Sequence, residues 1–329
     1  YNTIDLKPFL SVIPFTLTSG QKKVLKDIIK DLESEYIMSR LVQGDVGSGK
    51  TIVACAALYL SVKNGFQGVM MAPTEILAEQ HYNTLKRFLS PLDINVDILK
   101  GGLAEKERKK LLLKLKDGTV DVLVGTHAII QEDVEFKKLG MVITDEQHRF
   151  GVKQRENLVK KGHCPDVIVM SATPIPRTIA MALYSDLDIS VIDTMPAGRQ
   201  KVDTYVVNDS MRKRVYDFMA SEVKKGHLVY VVCPAVEENE LEIINVEQHT
   251  AYLRQEYPYL KIGMLHGKMK QDEKDKILNQ FLLKKIQVLV ATTVVEVGVD
   301  VPFATLMIVE NAERFGLAQL HQLRGRVGR

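Results

Sequence analysis

From about residue 37 onward, short runs of Val, Ile, Leu and Met alternate with longer stretches in which apolar and charged positions interleave. The apolar runs at 36–42 (YIMSRLV), 67–72 (QGVMMA), 120–125 (VDVLVG), 140–144 (GMVIT) and 166–170 (DVIVM) predict strands. Residues 51–62, 75–88 and 104–116 predict the helices between them. Strands that are apolar nearly throughout, separated by helices, are the pattern of a parallel sheet covered on both faces. The rhythm breaks at DTMPAGRQKV, residues 193–202, where Pro196 and Gly198 interrupt it. It restarts with strands expected at 202–207, 227–233, 261–265, 286–292 and 305–310. The fold class expected is α/β: two domains, residues 1–195 and 196–329, each a mainly parallel sheet flanked by helices.

Composition narrows the classes without choosing among them. In 329 residues, 44 Lys and Arg stand against 41 Asp and Glu, so net charge selects no partner and a phosphate-binding surface must come from local clustering. Cys55, Cys164 and Cys233 lie singly, outside any zinc spacing, and are expected to be buried thiols in a reducing compartment. No apolar run reaches the ~18 residues of a membrane span, and the first residues lack a signal-peptide pattern. No membrane partner and a cytoplasmic location are expected. A chain that starts on Tyr1 and stops on a Gly/Arg motif is expected to be a fragment. The stretch AEKERKKLLLKLK is read as a solvated amphipathic helix, and His81, His163, His227 and His249 are given no functional role.

Chemistry enters at GDVGSGKT, residues 44–51, between an expected strand and an expected helix. In that context Gly44, Asp45, Val46, Gly47, Ser48 and Gly49 form a loop whose backbone N–H groups surround phosphate oxygens at a helix N-terminus. Lys50 is expected to reach the β- and γ-phosphates of ATP, and the Thr51 hydroxyl to ligate Mg²⁺. MVITDEQH places Asp145 and Glu146 at the end of a buried strand neighbouring that loop, Asp145 as metal ligand and Glu146 as base. Gln21, ahead of an amphipathic helix, could pair its amide with the adenine edge.

The ordered set GDVGSGKT, APTEILAEQH, TDEQH, SATPIPRT, ATTVVEVGVD and QLHQLRGRVGR resembles the superfamily 2 helicases and translocases, and its wording is similar to their RecG branch of bacterial ATP-dependent DNA helicases. The resemblance implies two RecA-like P-loop NTPase domains, with ATP in a cleft between them. By resemblance, Arg326 and Arg329, taken as one helical turn apart, face the γ-phosphate; Gln322 senses it, and Arg324 is left open. Gly298 and Asp300, with Glu296 less defined, lie near the ribose or γ-phosphate. A nucleic-acid track is implied at Pro73, Thr74 and Glu75, at Gly125, Thr126 and His127, at His266 and Gly267, and at Thr292 and Thr293. Arg149, Lys153 and Arg155, a basic cluster after the acidic strand end, would link that track to the ATP site or simply pair with nearby acids, and Ser171 and Thr173 could hydrogen-bond the strand-end carboxylates. The implied function is an ATP- and Mg²⁺-dependent helicase or translocase core acting on branched double-stranded DNA without sequence preference, in fork reversal and Holliday junction branch migration. A single-strand-binding protein partner and a bacterial, nucleoid-associated location follow from the same resemblance. Alternatives are the motor of the transcription-repair coupling factor and an inactive nucleic-acid-binding fragment, since the wedge domain and the segment after the last Arg motif of RecG-type proteins are missing.

Overall fold

The computed structural model describes residues 5–145, 157–172, 187–196, 202–234, 239–292 and 301–328, without the side chains of 239–245, 271 and 318. The chain divides into two compact units, Tyr1–Pro196 and Ala197–Arg329.

Unit 1 contains β1 (Ser39–Gly44), β2 (Gln67–Met71), β3 (Val96–Leu99), β4 (Val122–Gly125), β5 (Leu139–Asp145), β6 (Asp166–Ser171) and β7 (Asp188–Ile192). They form one sheet in the order β3-β4-β2-β5-β6-β1-β7, with every neighbouring pair parallel. The flanking helices are α1 (Lys7–Val12), α2 (Ser19–Leu32), α3 (Lys50–Lys63), α4 (Glu75–Leu89) and α5 (Glu105–Asp117). The central strands β2, β4 and β5 are buried at every position, as the unbroken apolar runs require. Two strands were not expected from the pattern. β3 and β7 are the sheet edges, only partly buried and carrying Asp97 and Asp188, so their apolar runs are diluted. The order also corrects one expectation: β5 is not the neighbour of β1, because β6 lies between them.

Helix α3 decides much of this layer. Every residue from Ile52 to Ser61 is buried, so it has no solvent face, a pattern a helix tolerates only inside a protein. It packs on β1, β2 and β5 and against α2 and α4, carrying the chain from the end of β1 across β6 and β5 to β2. At the start of α2, the Thr18 hydroxyl accepts the Gln21 backbone N–H while the Gln21 side-chain Oε1 accepts the Thr18 N–H, a reciprocal cap that places Gln21 at the first turn.

Unit 2 contains β8 (Leu228–Val232), β9 (Ile262–Leu265), β10 (Val288–Ala291) and β11 (Ala304–Val309) in the parallel order β11-β8-β10-β9. Its helices are α6 (Arg212–Lys224), α7 (Asn239–Glu256), α8 (Gln271–Leu282) and α9 (Leu317–Arg324). The strand expected at 202–207 is not formed. That stretch is extended chain with Tyr205 82 % and Val206 fully exposed, and none of the described strands pairs with it. β-branched composition makes a strand only where a partner is in reach.

Beneath α6 lies a buried polar group. Tyr216 donates to the Glu310 carboxylate, Glu310 also pairs with Arg212 at 2.7 Å, and His249 Nε2 lies 2.7 Å from the Tyr216 hydroxyl. Because the tyrosine proton goes to Glu310, His249 donates from Nε2. Burial pushes the Cys55 thiol up and the Cys233 thiol up to about 12, as expected of inert core thiols. Cys164 departs from that expectation: it is exposed in the turn before β6.

Candidate functional site

The phosphate-loop residues sit at the carboxyl end of β1. Gly47 and Gly49 adopt left-handed φ of 82° and 84°, which a side chain disfavours, and Gly49 starts α3 without any side-chain cap. A Cβ on Gly49 would stand 2.2 Å from Gln21 Nε2, and one on Gly44 would stand 2.6 Å from Ser48 Oγ. Both glycines are therefore required by close approach. Lys50 is buried, and its ammonium donates to the carbonyls of Gly44 (2.7 Å) and Asp45 (3.1 Å). The Ser48 hydroxyl is fully buried with no hydrogen-bond partner. A buried hydroxyl and an ammonium gathered at an uncapped helix start form a concave donor set, the requirement for holding an anion.

Gln21 belongs to this loop in a way the sequence did not suggest. Its Nε2 donates to the Ser48 carbonyl at 2.8 Å, its Oε1 accepts from Thr18, and the residue is 2 % exposed. The amide is engaged by the loop and the cap rather than turned to an adenine edge. The loop also connects outward, since Thr194 Oγ1 donates to Thr18 Oγ1 and accepts from the Gly20 N–H.

Asp145 ends β5 as expected and is 7 % exposed. Its Oδ2 lies 2.7 Å from Nε2 of His81 on α4. Ser171 ends β6, the strand between the loop and Asp145, and is buried. Glu146, Arg149, Lys153, Arg155 and Thr173 lie outside the described residues.

On the expected nucleic-acid side of unit 1, Thr74 caps α4 by accepting the Leu77 N–H. Glu75 accepts the Gly101 N–H at 2.9 Å, so its carboxylate shapes the 100–102 turn and does not present a donor to phosphate. Pro73 precedes this cap, and Gly125 and Thr126 close β4 with His127 exposed after them. In unit 2, His266 and Thr292 follow the paired ends of β9 and β10, and His266 Nδ1 and Thr292 Oγ1 are both buried without partners. Two orphaned polar atoms on adjacent strand ends are what a bound polar ligand would satisfy. The Gly267 carbonyl accepts from Lys274. Thr293, Glu296, Gly298 and Asp300 lie outside the described residues.

The stretch after α9 departs from the helical turn expected there. Helix α9 ends at Arg324, whose guanidinium meets the His321 ring, and Gly328 is left-handed at φ 76°. Arg326 is therefore past the helix, and Arg329 lies outside the described residues. Arg326 and Gln322 are nonetheless buried at 7 % and 6 % exposure.

Two domain families match the chain: the DEAD/DEAH box helicase over residues 18–182 and the helicase conserved C-terminal domain over residues 210–329. The chain belongs to the DEAD/DEAH box helicases. Among relatives of this helicase, the ATP-dependent DNA helicase RecG of Bacillus subtilis (strain 168) is 50% identical over 331 residues, covering 100% of the chain and 48% of that protein. RecG of Thermotoga maritima is 50% identical over 323 residues, covering 98% of the chain and 41% of that protein. A solved structure of RecG bound to a three-way DNA junction matches with TM-score 0.86 at 46% identity, over 98% of this chain and 42% of that one. The chain thus spans under half the length of the RecG proteins it matches. The fold is shared more widely: Dbp5 of S. cerevisiae, bound to RNA and ADP BeF3, matches with TM-score 0.68 at 16% identity, over 98% of this chain and 83% of that one. Both units therefore have the RecA-like helicase fold. No helix among the described residues is long and apolar enough to cross a membrane.

Proposed function

We propose that this helicase is the motor core of a RecG-type DNA translocase, hydrolysing ATP at the 44–51 loop and moving along double-stranded, branched DNA without reading its sequence. The observation that carries the reading is the loop itself: left-handed Gly47 and Gly49, the buried Lys50 ammonium and the orphaned Ser48 hydroxyl converge at the start of α3. A hard cation fits the donors present, since Thr51 and Asp145 offer oxygen. When bound, it neutralises charge on the β- and γ-oxygens.

The chain's own residues do the rest. Lys50 leaves the Gly44 and Asp45 carbonyls for the phosphates, the loop N–H groups with Asp45, Val46 and Ser48 enclose them, and Gln21 holds the loop from behind. Glu146 orients the attacking water; Arg326 and Arg329 answer the charge developing on the γ-phosphoryl, Gln322 senses it, and Gly298 and Asp300 contact the nucleotide. DNA phosphates meet Pro73, Thr74, Gly125, Thr126, His127, His266, Gly267, Thr292 and Thr293, hydroxyl and backbone groups that position a duplex without specifying bases. The orphaned atoms of His266 and Thr292 support that track, and the RecG structure on a three-way junction supports branched DNA as the substrate. Fork reversal, Holliday junction migration, a nucleoid location and a single-strand-binding partner extend the same reading.

ATP turnover measured without nucleic acid and with single-stranded, duplex and branched DNA tests it. Branched DNA should stimulate most, and Lys50→Ala should abolish turnover. Retained turnover in Lys50→Ala, or stimulation by RNA above any DNA, would overturn the proposal.

A further inference from the structure

The apolar stripe of α4 runs through Leu77, Ala78, His81, Leu85, Phe88 and Leu89, all buried. Its one imidazole is thus placed where the helix otherwise packs hydrocarbon, and the Proposed function leaves it unused. The ring meets Asp145 at 2.7 Å, with side chains only 7 % and 10 % exposed. An ionised carboxylate only accepts, so the bond sets the imidazole proton on Nε2. Buried donors and acceptors of this kind are costly to break and leave few alternatives for either group.

We propose that His81 is a positioning residue for Asp145: it holds the carboxylate in the orientation that receives the divalent cation, and it does so from the helix that begins at the nucleic-acid turn 73–75. The proposal rests on the nucleotide reading above and deepens it. One oxygen of Asp145 is held by His81, the arrangement by which outer groups orient metal ligands. Helix α4 makes the hold responsive to DNA. Its first turn is fastened by Thr74 and, through Glu75, to the 100–102 turn. His81 lies seven residues from Thr74, about 10 Å along the same rigid helix. A displacement of the turn on DNA binding is carried to the Nε2–Oδ2 bond, so nucleic acid adjusts the metal ligand without touching it.

Three variants separate this from a packing role. Leucine fills the site without a donor, asparagine is polar but too short to reach, and glutamine brings a donor to the Nε2 position. Mn²⁺ binding in the presence of ADP, read by electron paramagnetic resonance, should weaken about 10–100-fold in His81→Leu and His81→Asn and recover in His81→Gln. ADP binding in EDTA should stay at the wild-type level in all three. The ratio of DNA-stimulated to basal turnover at saturating Mg²⁺ should fall in the first two and return with glutamine. Wild-type Mn²⁺ affinity in His81→Asn overturns the proposal, and this variant settles it should leucine prevent folding. Equal weakening in His81→Gln and His81→Asn overturns it too, because packing alone would then explain both. A wild-type protein that binds no metal-nucleotide sinks the nucleotide reading instead, before the variants are compared.

Discussion

Lys50 holds its ammonium at 9 % exposure with the Gly44 and Asp45 carbonyls among its partners, since a buried cation is costly unless paired. Gly49 beside it is as constrained. Gly49→Ala puts a Cβ on a left-handed residue 2.2 Å from Gln21 Nε2, so the variant should lose about 1–3 kcal/mol of stability together with nucleotide affinity. Thermal unfolding and fluorescent-ADP titration check both, and an unchanged melting temperature would show that the loop can move aside. For Arg326→Ala, nucleotide binding should persist while hydrolysis falls about 10³-fold or more. A proportional loss of the two would make Arg326 a binding group and nothing further. At this scale the loop was legible because its residue types are contiguous. His81 was not, since its partner lies 64 residues away and a histidine on a buried stripe has no local mark of function. A polar residue interrupting the apolar face of the helix after APT was the available hint.

Helix α3 is the element on which the loop depends. Leu58 is fully buried within it, so Leu58→Ala should cost about 2–5 kcal/mol in chemical denaturation and weaken nucleotide binding through the loosened loop. The α6, α7 and β11 ends are joined by Tyr216, His249 and Glu310. Burial, opposed by Glu310 and aided by Arg212, lowers the His249 pKa below 6.5. A depressed histidine binds its proton more readily when unfolded, so unit 2 should lose stability as pH falls through 6.5 toward the lower folded value. His249→Gln should flatten that part of the pH–stability curve; an identical slope would remove His249 as its source. The interior strands after β1 were read close to their ends, because burial on both faces leaves an unmistakable apolar run, and so were helices α3, α4 and α5, whereas the helices of unit 2 were not. The edges β3 and β7 are hidden by their solvent-facing charges, and 202–207 has the composition of a strand but no pairing partner among the described strands.

For the whole chain, charge nearly balances, with 44 basic and 41 acidic side chains, so the proposed DNA affinity would come from a local phosphate track. The logarithm of affinity should fall with the logarithm of salt by about 0.9 per phosphate neutralised, equally for duplexes of different sequence. A preference among duplexes of one length and shape would contradict a backbone-reading track. The sequence by itself determined two α/β domains, a candidate phosphate loop and the family, because each rests on residues adjacent in the chain. Only the tertiary structure decided that β6 separates β1 from β5, that Gln21 braces the loop, that α9 stops before Arg326 and that His81 holds Asp145. These depend on the order of strands in a sheet. Any order buries the same apolar runs, so local pattern carries no record of which distant side chains the chosen order brings together.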